Sequence, residues 1–355
     1  MKILVFNFGS TSSKVAVFED EKEVFTKTIN HDQDFLAEHK IPIEQFDVRK
    51  ADIFKALKEN GFEISEFDAV CSRAGVIRSV ASGTYIINDQ CIADAKDMEY
   101  GGTQPHGLAL IIADDIAKEY GIPAYFCDPV STDELSDVAR VTGYGPVKRV
   151  SRFHALNHKA VARQCAADLG KKYEEVNLVG LHLGGGTSLA AHEKGKCIDI
   201  TDCSSDGPFS MDRPGCLPLG DIINLCYSGE YDKKGIKLFF KQDTGVYSLV
   251  GTKDMREVTA RMQAGDKDCE MAFKAFAYNH AKYAGAMAAV LKYDVDAIYI
   301  TGGIAHGELM INEIKSYIEK IAPIYVYPGE NEMKSLAEGA LRVLRGEEEA
   351  KIYTA

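Results

Sequence analysis

The chain has 355 residues and a formal net charge of −12, which fits a soluble cytoplasmic enzyme too long for one core and therefore built from two domains. The acidic excess argues against nucleic acid or an anionic membrane surface as partner. No apolar stretch reaches the roughly 18 residues that a membrane span requires, and Met1 leads directly into a strand pattern that leaves no room for a signal peptide. Nine cysteines, an odd number without a CxxC pair, read as residues of a reducing cytosol. Cys71, Cys127 and Cys165, in apolar surroundings, fit small core positions better than a metal or redox site.

In chain order, the apolar runs at residues 3–7, 14–18 and 24–29 predict a three-stranded meander. Residues 45–60 have helical spacing, and residues 69–73 open a further strand. A loop at 101–106 leads into a helix over 107–120, which Gly121 stops. The run IPAYFCDP (122–129) predicts a buried strand whose end delivers Asp128. A helix follows over about 154–169, then a second strand hairpin and a less regular middle. A helix rich in Ala and Gly is expected over 268–293, suited to close packing. DAIYITGGIAHG (296–307) reads as strand, glycine turn and helix start. Residues 325–328 form the last expected strand, and residues 334–345 the closing helix.

Two of these segments are copies of one device. LVFNFGSTSSKVAVF (4–18) and LVGLHLGGGTSLAAH (178–192) are each an apolar run, a break of glycine and hydroxyl residues at Gly9 or Gly184, and a second apolar run. A charged turn, EDEKE or EKGK, follows each. Small residues leave backbone N–H groups uncovered, so either turn can close on phosphate. A duplicated loop with matching flanks carries more weight than a single one. Neither loop is GxxxxGK[ST] or GxGxxG, which removes support from the two commonest nucleotide folds. The expectation is an α/β protein of duplicated actin-like (ribonuclease H-like) domains with a nucleotide cleft between them. The repeat divides the chain near residue 150, giving 1–150 (completed by the terminal helix within 334–355) and 151–333. Ile300-Thr301-Gly302-Gly303-Ile304 takes the place of a third, adenosine-facing element.

The chain resembles the acetate and butyrate kinase family. The matching landmarks are Asn7 with GSTSSK, Ser72-Arg73-Ala74-Gly75, Gln104-Pro105-His106, Phe126-Cys127-Asp128, Arg152-Phe153-His154 with His158, and His182-Leu183-Gly184-Gly185-Gly186. Met211-Asp212-Arg213, the Thr301–Ile304 turn and residues 328–332 complete a set that spans the chain in family order. Gly185 stands where acetate kinases carry Asn, and SRAG and SSDGPFSMDRPG look most like the butyrate branch. The resemblance implies reversible in-line transfer from ATP to a short carboxylic acid, straight or branched, giving ADP and an acyl phosphate.

The resemblance further implies catalytic roles for Arg73, Arg213, His154 and Asp128. It implies nucleotide contacts at Asn7, Gly9, Ser10, Ser12, Lys14, His182, Gly184, Gly185, Gly186, Gly302, Gly303 and Ile304. Mg²⁺ would be held by Asn7 and Glu332, with Asp128 and Glu330 also open, and the assembly would be a homodimer or higher homo-oligomer to which the 268–293 helix contributes. The residue types suit this chemistry. Phosphoryl transfer needs alignment and charge stabilisation, and an arginine forks onto carboxylate or phosphoryl oxygens. His154 is implied as a donor to the transferring phosphoryl group. His158, one helical turn on, is equally well a structural histidine, and HALNH lacks the glutamate of a zinc helix. His182 and His106 are each either site residues or packing residues. The acidic GEEEA run near the end reads as solvated. Acetate or propionate as substrate, a sugar kinase and an actin-like ATPase module stay open as alternatives.

Overall fold

The computed structural model describes residues 1–203 and 206–354; Ser204 and Ser205, which open the SSDGPFSMDRPG stretch, lie outside the described residues. The strands are β1 Lys2–Phe8, β2 Ser12–Glu19, β3 Lys22–Asn30, β4 Ala69–Ser72, β5 Thr84–Ile86, β6 Ala124–Cys127, β7 Asn177–Leu183, β8 Thr187–Glu193, β9 Lys196–Ile200, β10 Ala297–Gly302, β11 Ile324–Pro328 and β12 Lys351–Ile352. They form one sheet in the order β12-β5-β6-β4-β1-β2-β3 and another in the order β11-β10-β7-β8-β9. The chain folds into two compact units, residues 1–133 with 331–355, and residues 134–330. The repeat alone puts the division near 150.

The two sheets share one plan. An antiparallel meander, β1-β2-β3 or β7-β8-β9, continues through parallel strands, β4 and β6 in one unit and β10 and β11 in the other. Even the register irregularity recurs, between Val17 and Phe18 in β2 and between Ala191 and His192 in β8. The duplicated α/β architecture expected from the two glycine hairpins is the one observed.

In the first unit β1 is covered on both faces. Leu4, Phe6 and Phe8 join a core with Ile53, Leu57, Leu108 and Ile112, while Ile3 and Val5, on the opposite face by strand alternation, are equally buried. The helix Glu332–Leu344 packs on β1, β4 and β6, which brings its first residue to the end of β1 that carries Asn7. The helix Phe46–Glu59 matches its expected span. The helix expected from 107 starts at Pro105, where the absent N–H costs nothing, and Gly121 ends it at φ 70°. In the second unit the helix Lys267–Val290 packs on β7 and β8.

The helix expected over 268–293 is packed within its own unit on the face carrying Ala272, Ala277, Ala281, Ala284 and Ala288, while Met271, Tyr278, Ala286 and Ala289 of the same helix are exposed. Three expectations need correction. The middle of the chain holds four helices, Leu219–Cys226, Lys233–Gln242, Gly245–Val250 and Met255–Gln263. The segment 324–328 is not the last strand, since β12 pairs with β5 in parallel. The acidic run near the end is not merely solvated: Glu348 accepts from Thr84 N at 2.7 Å and from Arg342 Nε at 2.8 Å, tying the chain end to β5. Among the described residues no helix is long and apolar enough to cross a membrane.

Candidate functional site

In the first unit, site residues collect at the ends of β1 and β4. Asn7, in β1, donates from Nδ2 to Glu332 Oε2 at 2.6 Å, and Arg73, just past β4, donates from Nη1 to the same oxygen at 2.9 Å. Neither bond engages Glu332 Oε1 or Asn7 Oδ1. His106 stands in the first turn of the helix Pro105–Tyr120; burial, helped by the Arg73 charge, pushes its pKa down to about 3, which keeps it neutral.

The first glycine loop is shaped from beneath by a residue outside the motifs. Arg49, fully buried, donates from Nη1 to Gly9 O, Ser12 O and Ser13 Oγ at 3.1, 3.2 and 3.1 Å, and from Nη2 to Ser10 O at 3.1 Å. Its Nε donates to Gln45 Oε1 at 2.9 Å. With these carbonyls held by Arg49, Ser10 and Thr11 remain exposed at the tip. The acceptors are all neutral, and burial lowers the Arg49 pKa to about 10, still cationic at neutral pH. The sequence does carry a signal for it: Arg49 lies on the stripe of Phe46, Ile53 and Leu57, where an arginine on an apolar helix face requires partners. Lys14 is exposed on β2 opposite Asn7 in the strand register.

Asp128 follows β6 at φ 37°, with Oδ1 accepting from Ser82 Oγ at 2.7 Å and Gly83 N at 2.9 Å. That oxygen holds the 82–83 turn. The structure thus gives Asp128 a definite anchoring contact, separate from the bonds that join Arg73 and Asn7 to Glu332.

In the second unit, β7 and β8 present the loop Gly184–Gly186. His154, the N-cap of the helix Ala155–Asp168, bonds through Nδ1 to Ser188 Oγ at 2.8 Å and stacks on His182 with centroids 3.9 Å apart. His182 Nδ1 donates to Asn157 Oδ1 at 2.9 Å. Its Nε2 lies 3.1 Å from Glu330 Oε1 but without hydrogen-bond alignment. Glu330 therefore faces His182, whereas Glu332 belongs to the first unit's cluster. Arg213 donates from Nη1 to Cys203 O at 2.9 Å, and a Cβ on Gly186 would overlap that same Nη1 and come within 3.5 Å of His154 Cε1. Gly186, Arg213 and His154 thus converge.

Three buried polar atoms around this loop have no hydrogen-bond partner among the described residues: His182 Nε2, Thr187 Oγ1 and Arg213 Nε. Beside them opens a cavity of about 610 Å³, whose walls include Gly184, Gly185, Met211, Gly303, Ile304 and Met310. Its size falls in the range of small-ligand sites. Gly302 closes β10 at φ 92°, where a Cβ would overlap Leu183 O, so only glycine brings the Gly303–His306 turn this close to the β7 end.

His158, the open case of the sequence, is fully buried between Tyr299 and Ser188. Among the described residues no His, Cys, Asp and Glu group is arranged to hold a metal by protein ligands alone.

The chain is similar to known proteins along its whole length. A model of the acetokinase family matches residues 144–342. A probable butyrate kinase of Clostridium botulinum is 45% identical over 355 residues, covering 99% of both chains. Butyrate kinase 1 of Clostridium acetobutylicum is 43% identical over 353 residues with the same coverage. The crystal structure of Porphyromonas gingivalis acetate kinase, 18% identical, superimposes with a TM-score of 0.82 over 97% of this chain and 99% of that one. The full-length identity and the family match together show that this chain belongs to the acetokinase family.

Proposed function

We propose that the chain is an acyl kinase of the butyrate kinase type, transferring the γ-phosphoryl group of ATP to butyrate or a similar short-chain acid and giving ADP and an acyl phosphate. The observation that carries this reading is the set of unpartnered buried polar atoms, His182 Nε2, Thr187 Oγ1 and Arg213 Nε, around a glycine loop that walls a nucleotide-sized cavity. Orphaned buried polar atoms are rare and call for a ligand, and a phosphate chain supplies acceptors for Arg213 Nε and the Thr187 hydroxyl. Relatives named butyrate kinases, 43–45% identical along the whole chain, support the choice of acid.

Arg213 donates from Nε to the phosphoryl oxygens as charge develops on them, already oriented by its Nη1 bond to Cys203. His154 adds a donor beside it. Arg73, steadied by Glu332, presents its remaining N–H groups to the acid's carboxylate. That nucleophile has a reference pKa of about 4 and is ionised at neutral pH, so no general base is required, in contrast to a sugar kinase that must deprotonate a hydroxyl.

Asn7 Oδ1 and Glu332 Oε1 suit Mg²⁺, a cation that prefers oxygen and takes few protein ligands beside water and phosphate. When bound, Mg²⁺ offsets the charge of the nucleotide phosphates. The reading carries with it a cytoplasmic setting, and a homo-oligomer is supported by the exposed apolar residues Leu219, Ile223, Tyr227 and Leu238 in and beside the helices Leu219–Cys226 and Lys233–Gln242, neither of which has a fully buried residue.

An acid panel tests the substrate. ADP release measured with acetate, propionate, butyrate, isobutyrate and valerate should give the highest kcat/KM with an acid of four or five carbons. Acetate as the best acid would reject the butyrate assignment and leave an acyl kinase.

A further inference from the structure

His154 bonds into a buried hydrogen-bonded chain that runs through Ser188, His158, Tyr299 and His192 to Tyr173. Tyr173 OH lies 2.7 Å from His192 Nδ1, and His192 Nε2 lies 2.7 Å from Tyr299 OH. Tyr299 OH lies 2.7 Å from His158 Nδ1, and His158 Nε2 lies 3.2 Å from Ser188 O and 3.1 Å from Ser188 Oγ. Ser188 Oγ lies 2.8 Å from His154 Nδ1. The chain fits because β7 carries glycine at Gly180, where a Cβ would overlap Tyr299 OH and come within 2.8 Å of His158 Nδ1.

The direction of the protons is fixed by one group that can only accept. Ser188 O is a carbonyl, so His158 Nε2 must carry the proton that faces it. His158 Nδ1 is then an acceptor, and the Tyr299 hydroxyl donates toward it at 2.7 Å and toward the His158 carbonyl O at 3.1 Å. Tyr299 oxygen in turn accepts from His192 Nε2–H, and His192 Nδ1 accepts from Tyr173. At the other end, Ser188 Oγ receives His158 Nε2–H and the His154 backbone N–H, at 3.1 and 3.4 Å. Its own proton is left to donate to His154 Nδ1.

We infer that this chain holds His154 as the Nε2–H tautomer, a neutral hydrogen-bond donor, and that Ser188, His158, Tyr299 and His192 are positioning residues for it. The inference rests on the proposed function only for what the donor serves. Burial is consistent with neutral relays: it pushes His158 down to about 3, with His182 adding to the effect, and His192 well below its ordinary value.

The test is the two-bond ¹H–¹⁵N spectrum of the uniformly ¹⁵N-labelled protein at neutral pH, with the His154 ring assigned by its loss in His154→Gln. The expected result is a protonated Nε2 and a bare Nδ1 on His154. A protonated Nδ1, in either a neutral or a charged ring, would overturn the inference. Ser188→Ala should mix the two tautomers and lower kcat on the order of 10-fold, as the donating form becomes the minor one, with KM for ATP little changed. Tyr299→Phe should act in the same direction; if it does not fold, Ser188→Ala and the unmodified protein decide. A Ser188→Ala variant that keeps a single Nε2–H tautomer and full kcat would also overturn it. Failure to form any acyl phosphate would instead count against the proposed function, because the spectrum is read without substrate.

Discussion

Asn7 and Glu332 stand 325 positions apart in sequence, and the amide of one donates to the carboxylate of the other at 2.6 Å. Arg73 shares that oxygen, so one carboxylate orients both neighbours. Glu332→Gln should lower activity or apparent Mg²⁺ affinity by ~10–100-fold, the usual cost of losing an orienting partner, with only a small change in melting temperature. Mg²⁺ titration of initial rates checks this, and an unchanged titration curve would remove Glu332 from the metal shell.

Arg49→Met should weaken ADP–Mg²⁺ binding by ~10-fold or more, since it removes hydrogen bonds from a charged donor worth about 1.5–3 kcal/mol each and releases the carbonyls of the first loop. Adenosine, which lacks phosphate, should bind as before. Titration calorimetry with both ligands separates the cases. Equal losses for ADP and adenosine would indicate general damage to the fold.

Gly186→Ala should act through Arg213. The added methyl overlaps Arg213 Nη1 and displaces the guanidinium, so kcat should fall ~100-fold, the scale of one lost oriented donor, as it should in Arg213→Ala. The double variant should be no worse than Arg213→Ala alone, because the two changes remove one interaction. Additive losses would show that the methyl acts elsewhere.

Stability should fall on mild acidification. Burial first, with nearby positive groups for some, holds His106 and His158 at about 3, His280 at about 4 and His192 well below 6.5. Each is neutral in the fold and protonates near 6.5 when the chain unfolds. Their stabilisation is complete above about pH 6.5 and is lost as pH drops toward the folded values, the unfolded state binding up to about four more protons near pH 5. Urea denaturation at pH 7.5 and pH 5 should show a clear drop in midpoint; equal midpoints would contradict neutral burial.

The repeat is legible in the sequence because two apolar runs parted by small residues bury their side chains most simply as a hairpin, and both meanders lie where residues 4–18 and 178–192 place them. Arg213, His154 and Glu332 are singled out in the sequence by the resemblance, and each makes polar contacts in the structure. Leu219–Cys226 and Lys233–Gln242 do carry apolar residues at helical spacing, Leu219, Ile222, Ile223 and Cys226 in one and Ile236, Phe239 and Phe240 in the other, but each segment is short for a periodic signal. Arg49, Ser188 and Tyr299 stay hidden for a different reason. Their partners are backbone carbonyls or side chains distant in sequence, as with Tyr299 and His158, 141 positions apart, and no local spacing encodes such a bond. Asp128 stands out in the sequence by its position at a strand end and by the resemblance, and a strand end is a position shared by residues that bind and residues that close a turn.

The central claim is the chemistry of the product, and hydroxylamine reports it most directly. An acyl phosphate reacts with hydroxylamine to a hydroxamate, whereas a phosphorylated sugar hydroxyl and ATP hydrolysed to free phosphate do not. Incubating the protein with ATP, Mg²⁺, butyrate and hydroxylamine should yield butyryl hydroxamate in proportion to ADP, and Arg213→Ala should yield little of either. ADP formed without hydroxamate from any short acid would contradict acyl transfer.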